Sequence, residues 1–242
     1  MLKNLIKYII ILVSFCFRKN KKSKVVYYHD VTTKYTVDGT PAELIKKHIS
    51  ILKKCGYSFV PTITEKEMQL MLCFDDGWEG LYEHRQLFLD EDIYPTIFIA
   101  VELIGKEGYM TKEQLEELVK LGFRLQTHTY SHQDLGVMKD EELKHELYDA
   151  KIALEKMFNQ PFDEICFPMG RYSDATLKIA LESGYKLMYS SLEGGYFDSI
   201  DKHFTYRYFL QSIPAWLVKY YVMGFSKVLY NRAYSQHYVK TN

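Results

Sequence analysis

Two pairs of residues in this sequence have the types and spacing that chemistry requires. The first is Asp75-Asp76, within Leu72-Cys73-Phe74-Asp75-Asp76-Gly77-Trp78, where two carboxylates close an apolar run and meet a glycine. Met71 to Phe74 reads as a buried strand, so paired charges at its end cost desolvation unless a cation or several donors meet them. Successive strand side chains point to opposite faces, which lets the two acids take different jobs, one binding a metal and the other handling a proton. The second pair is His128 and His132, in Gln126-Thr127-His128-Thr129-Tyr130-Ser131-His132, behind another apolar strand at Gly122 to Leu125. Two histidines and an aspartate make three ligands that suit Zn²⁺ and leave a coordination position for water. Coordination lowers the pKa of water from about 15.7 towards 7, so a neighbouring carboxylate such as Asp75 can take its proton at neutral pH.

His29 follows Tyr27-Tyr28 at the end of the first strand and could protonate a departing amine. Pro168-Met169-Gly170 offers a kinked backbone whose Met169 N–H could face a developing oxyanion, a plain β-turn being the alternative. His48, His84, His145, His203 and His237 have no ligand spacing and read as surface or structural residues. Asp134 and Asp174 read as turn or helix-cap acids.

The elements that must position these groups alternate along the chain. Strands are expected at Lys24–Tyr28, Tyr57–Val60, Met71–Phe74, Pro95–Val101, Phe123–Thr127, Ile165–Phe167 and Lys186–Ser190. Between them fall helices opened by Pro41, running from Glu79 to Leu89, opened by a Thr111/Gln114 capping box, capped by Asp140, and running from Ser173 to Ser183. Such alternation predicts an α/β fold with a parallel sheet, and about seven units favour an open or distorted barrel over a doubly wound sheet. In a parallel barrel the carboxyl ends of the strands share one face, so His29, Asp75-Asp76, His128 and the Pro168-Met169-Gly170 turn converge on one mouth.

The 242 residues suit one large domain, and Lys+Arg 31 against Asp+Glu 31 gives no global field that would draw nucleic acid. Charge is uneven, however. Residues 1–23 carry basic residues and no acid around the apolar run Tyr8 to Phe17, with no small-x-small cleavage site behind it. An uncleaved anchor or surface-lying helix is the leading expectation, with a secretory signal and a buried terminal helix as alternatives and the side of the membrane open. The catalytic barrel is expected over 24–212. An aromatic tail over 213–242, with Leu217, Tyr220, Tyr221, Phe225, Val228 and Leu229 at helical spacing, could rest on a bilayer or pack on the barrel. The four cysteines show no paired spacing.

Phe74-Asp75-Asp76-Gly77 and His128-Thr129-Tyr130-Ser131-His132-Gln133-Asp134-Leu135 resemble the first and second motifs of the polysaccharide deacetylases, carbohydrate esterase family four. Tyr28-His29-Asp30-Val31 is similar to the start of the poly-N-acetylglucosamine deacetylase branch. The resemblance implies that Asp76, His128 and His132 bind a divalent metal, with zinc the expected ion. It makes Asp75 the general base, the Met169 amide part of the oxyanion site and His29 the general acid. The carboxy-terminal Leu-x-His motif of most of the family is not recognisable. The arginine of the third motif is missing where Ile165-Cys166-Phe167 stands, and Arg207 is a possible substitute.

The expected activity is removal of N-acetyl groups from a glycan. Two alternatives are a non-catalytic glycan-binding relative and a metal hydrolase acting on another amide or ester.

Overall fold

A computed structural model describes residues 2–239; residue 1 and residues 240–242 of the two end segments lie outside it. In chain order the strands are β1 (Lys24–Tyr28), β2 (Asp30–Thr32), β3 (Gly39–Pro41), β4 (Ser58–Phe59), β5 (Gln69–Phe74), β6 (Thr96–Ile99), β7 (Arg124–Thr127), β8 (Glu164–Cys166), β9 (Leu187–Tyr189), β10 (Phe204–Thr205) and β11 (Arg207–Phe209). The helices are α1 (Leu2–Arg18), α2 (Ala42–Lys54), α3 (Glu79–Glu83), α4 (Gln86–Leu89), α5 (Lys112–Lys120), α6 (Asp140–Lys144), α7 (Ala150–Phe158), α8 (Asp174–Glu182), α9 (Val218–Met223) and α10 (Lys227–His237). Apart from the small β2–β3 pair, the strands form one nine-stranded parallel sheet in the order β10-β9-β8-β7-β6-β5-β1-β11, with β4 beside β5.

The two ends of that order are neighbours in sequence, for only Tyr206 separates β10 from β11. Phe204–Thr205 pairs in parallel with β9, and the next paired residues, Arg207–Phe209, lie along β1. Ser190 N–H donates to Thr205 O at 3.0 Å and Arg207 N–H to Leu192 O at 2.8 Å, so a single extended stretch bridges the sheet's edges. The result is a distorted (β/α) barrel. It has nine strands rather than the expected seven because one closing segment, split into β10 and β11, adds a strand at each edge.

Both faces of this sheet are buried, as parallel strands require. Val25, Tyr27, Met71, Cys73, Phe98, Cys166 and Tyr189 cluster inside the barrel. The alternate residues Val26, Tyr28, Leu70, Leu72 and Phe74 join the larger cluster beneath the helices. The Thr111/Gln114 capping box opens α5 as the sequence indicates.

Two helical expectations need correction. The segment from Glu79 to Leu89 is two short helices, α3 and α4, rather than one. The helix expected to start with an Asp140 cap has Lys139 at the N-cap, where Glu142 accepts from the Lys139 N–H at 2.9 Å, and Asp140 is already in the first turn. That helix is also interrupted by a π-helical turn, His145–Asp149, between α6 and α7. Such turns frequently mark functional positions, and this one turns Glu146 inward.

The chain ends pack on each other. Leu217, Val218, Tyr221 and Val222 are buried in the main cluster, while Ile11 of α1 packs into it from outside. Tyr8 meets Trp216 and Phe15 meets Tyr220 edge-on at centroid distances of 5.9 and 4.9 Å. No helix among the described residues is long and apolar enough to cross a membrane.

Candidate metal-binding active site

The pleat of β5 sends Met71 and Cys73 into the barrel, and Asp75 continues that row. There Arg207 meets it as a fork. Arg207 Nη1 donates to Asp75 Oδ1 at 2.7 Å and Nη2 to Oδ2 at 2.8 Å. The two side chains are 0% and 4% exposed. The guanidinium also stacks 3.9 Å above the Tyr27 ring and donates through Nε to Ser190 O at 3.0 Å, so its geometry is fixed from three sides. Burial pushes the Asp75 carboxyl up, but the charge and hydrogen bonds of Arg207 more than reverse this, and the group lies below its ordinary range. Asp75 is therefore an anion with both oxygens already engaged, a poor metal ligand and a well-held base.

Asp76 leaves the strand. Its φ of 72° turns the carboxylate away from the barrel interior towards the loop after β7. Oδ2 accepts from the Trp78 indole N–H at 3.0 Å, and Trp78 is itself stacked on Tyr109. Oδ1 lies 3.3 Å from His128 Nε2 and 3.0 Å from His132 Nε2 but accepts no well-formed hydrogen bond.

The tautomer of His128 gives that arrangement its meaning. Its Nδ1 lies 2.8 Å from Cys166 O, an atom that can only accept, so Nδ1 carries the proton and Nε2 presents a lone pair. A lone pair thus faces a carboxylate oxygen at a buried point, which repels unless a cation lies between them. Burial pushes Asp76 up and the two imidazoles pull it well below the carboxylate range; burial lowers His132 but Asp76 carries it above its ordinary value. Those shifts say that a proton would otherwise do the cation's work. The ligand atoms of Asp76, His128 and His132 all lie within 4.8 Å of one another, and a divalent ion fits this set. A backbone carbonyl fixing the second imidazole nitrogen is the usual outer support of a metal-bound histidine. Asp75, His128 and Cys166 form a second close group, but Arg207 occupies Asp75 and burial raises the Cys166 thiol far above its ordinary value.

The loop bearing the histidines is strained and clamped. Thr129 and His132 have φ of 72° and 62°, and with Asp76 and Met169 they make up four of the seven non-glycine residues at positive φ among the described residues. Unfavourable backbone concentrated at a site needs surroundings that over-determine it. Glu146, from the π turn, supplies them: 4% exposed, it accepts from Tyr130 N–H at 3.1 Å, from Ser131 N–H at 2.9 Å and from the Ser131 hydroxyl.

Around this centre lies a cavity of about 490 Å³ lined by Asp75, Asp76, His128, His132, His29 and Met169, so all six sequence-expected residues face one space. His29 Nδ1 is paired with Gln211 Oε1 at 3.0 Å, leaving Nε2 free for the cavity. Met169 sits at φ 55° in the Pro168–Gly170 turn and is half exposed.

The same walls hold residues the sequence did not single out, among them Lys7, Ser191, Glu193 and His237. His237, read from sequence as a surface or structural residue, is half-buried, and its Nδ1 has no partner among the described residues. It is carried there by a parallel bridge in which Tyr172 N–H donates to His237 O at 3.0 Å and Val239 N–H to Tyr172 O at 2.9 Å. None of these four stands in a motif or at a periodic position that would have announced it.

The profile of the polysaccharide deacetylase family matches residues 62–188, just over half of the chain. The chain belongs to that family. The polysaccharide-deacetylase-like protein YxkH of Bacillus subtilis (strain 168) is 29% identical over 183 residues, 70% of this chain and 64% of that one. A peptidoglycan-N-acetylglucosamine deacetylase of Bacillus cereus is 28% identical over 127 residues, 51% of this chain and 57% of that one. The chain thus spans less than two thirds of the length of these relatives. Among solved structures, IcaB from Ammonifex degensii superposes with a TM-score of 0.75 at 18% identity over 85% of this chain and 99% of that one. The Streptococcus pyogenes deacetylase PplD, solved with acetate, gives 0.73 at 23% identity over 81% and 96%. The deacetylase barrel is shared with both.

Proposed function

We propose that this chain is a metal-dependent hydrolase that removes N-acetyl groups from the amino sugars of an oligo- or polysaccharide. One observation carries the reading: two carboxylates adjacent in sequence are held in opposite roles. Asp76 is aimed with two imidazoles at one cation position, and Asp75 is locked by Arg207 beside it. Family membership and the name of the Bacillus cereus relative support the choice of an N-acetylated glycan.

A divalent ion bound by Asp76, His128 and His132, zinc being the expected one, supplies Lewis acidity and lowers the pKa of water. Asp75, kept ionised by Arg207, accepts a proton from the attacking water. His29, oriented by Gln211, hands one to the departing amine through Nε2. The Met169 N–H, at the rim of the same cavity, donates to the oxygen on which charge develops. The exposed apolar face of α1 is read as a membrane-contacting surface.

The test is acetate release from N-acetylglucosamine oligomers together with metal content. Asp75→Asn should abolish release, by roughly the 10²- to 10⁴-fold typical of a lost general base, while keeping the ion. His132→Ala should lose the ion. Metal-replete protein that releases no acetate from these oligomers, yet cleaves acetyl-xylan or small amides, would move the activity to another substrate.

A further inference from the structure

The catalytic cavity does not end at the metal-binding residues. At its far wall stand Lys7, Glu193 and Gln236, and the same three residues line a second hollow of about 320 Å³ running between α1 and α10. The two spaces therefore adjoin. Four of the eight residues lining the second are aliphatic, Ile6 and Ile10 of α1 facing Leu229 and Ala233 of α10. Lys7 and Arg232 add two cations to it, and no carboxylate binds either within ion-pair distance among the described residues. Glu193, its one acid, accepts from the Tyr221 hydroxyl at 2.7 Å.

The outer lip of this groove is apolar as well. Leu5, Ile9, Val13 and Phe17 recur at four-residue spacing on α1 and are at least half exposed, forming one row beside Ile6 and Ile10. The described part of α1 contains no acidic residue. An apolar row flanked by lysines is what a helix lying in a lipid–water interface presents. A water-soluble glycan would gain nothing from a greasy channel that opens on such a row and ends, past two cations, at a site for sugar chemistry.

We infer that the groove between α1 and α10 holds the hydrocarbon chain of a substrate whose N-acetylated sugar is joined to a lipid through phosphate. This rests on the deacetylase reading for the sugar end. The chain enters from the α1 row and lies along Ile6, Ile10, Leu229 and Ala233. The phosphate sits between Lys7 and Arg232, and the sugar reaches past Gln236 to the metal-binding residues. Burial draws the Lys7 ammonium below its ordinary value and Glu193 offsets this only in part, and an arriving phosphate anion favours the charged form.

The experiment has a binding arm and a turnover arm. By calorimetry, farnesyl phosphate should bind the full chain at least tenfold more tightly than farnesol or inorganic phosphate. Ala233→Trp, which fills the groove, should remove that binding, and Arg232→Ala, at an exposed position, should weaken farnesyl phosphate without affecting farnesol. In turnover, a farnesyl-phosphate-linked N-acetylglucosamine dimer should exceed the free dimer at least tenfold in kcat/KM. Ala233→Trp should erase the advantage and leave the free dimer within twofold.

Equal turnover of linked and free dimers, or farnesyl phosphate binding unchanged in both variants, would overturn the groove assignment while the deacetylase reading stood. Groove-dependent binding with no acetate from either dimer would keep the assignment and sink that reading. Binding to phosphatidylglycerol vesicles with no groove-dependent affinity for farnesyl phosphate would leave α1 as a bilayer contact only and also overturn the groove.

Discussion

Removing the guanidinium at position 207 tests the site's electrostatic logic most directly. Arg207→Met keeps an unbranched side chain over Tyr27 but deletes both bonds to Asp75, whose only other side-chain hydrogen bond among the described residues is the weak one from Cys166 Sγ–H at 3.7 Å. Breaking a buried ion pair from one side typically costs about 3–5 kcal/mol, because the surviving charge stays buried and unpaired. With roughly 2–4 °C per kcal/mol for a protein of this size, the melting temperature should fall by about 6–20 °C. Asp75 would escape the penalty by taking up a proton, and a protonated base cannot accept another, so acetate release should fall about 10²-fold or more. Arg207→Lys restores the charge but not the fork, and should recover part of the stability and little of the activity.

The decisive comparison is the double variant Asp75→Asn/Arg207→Met. With neither charge present, its melting temperature should exceed that of Arg207→Met alone, giving a coupling of about 2–3 kcal/mol in a thermodynamic cycle. A coupling near zero, or an Arg207→Met protein that melts and turns over like the parent, would refute the claim that this pair sets the state of Asp75.

Two further outcomes follow from other parts of the structure. His29→Gln should lower kcat by roughly 10²-fold or more with little change in KM, and Gln211→Ala, which frees His29 Nδ1, should produce a smaller loss in the same parameter. A kcat within threefold of the parent in His29→Gln would shift the proton donor to another group of the cavity, where His237 also stands. His48 is fully buried beneath Tyr28, and burial pushes its imidazole down to about 4, with the Ile213 backbone pulling slightly the other way. The unfolded chain takes up this proton near pH 6.5 and the folded chain only near 4. Stability is therefore lost as pH falls through that interval, by about 3 kcal/mol at most. Urea melts at pH 7 and pH 4.5 should show a smaller acid loss in His48→Gln than in the parent, and parallel losses would show that His48 is not the group responsible.

The Asp76, His128 and His132 half of the candidate site was legible because each of its parts is local. A strand running into Asp-Asp-Gly, and a strand running into His128 and His132, can be read from a few consecutive letters and the rule that barrel strands end on one face. What secures those parts was not legible. Glu146 braces the histidine loop from inside what reads as an uninterrupted amphipathic helix, and nothing in the pattern announces the π turn that aims it. Lys7 and His237 reach the cavity from the two ends of the chain, by packing that only the folded barrel creates.

Arg207 shows most clearly why such supports elude sequence. By resemblance the arginine was expected near Cys166 on β8, and it stands instead on β11, 132 positions from its partner in the chain. Inside a closed barrel the inward positions of separate strands converge on one axis. Asp75 Oδ2 has Cys166 Sγ at 3.7 Å on one side and the Arg207 guanidinium at 2.8 Å on the other. A small residue at 166 leaves the space, and the seam strand delivers the charge into it. The site thus fixes where the positive charge must be and leaves open which strand supplies it, so a motif can lack its arginine and Asp75 still keep its partner.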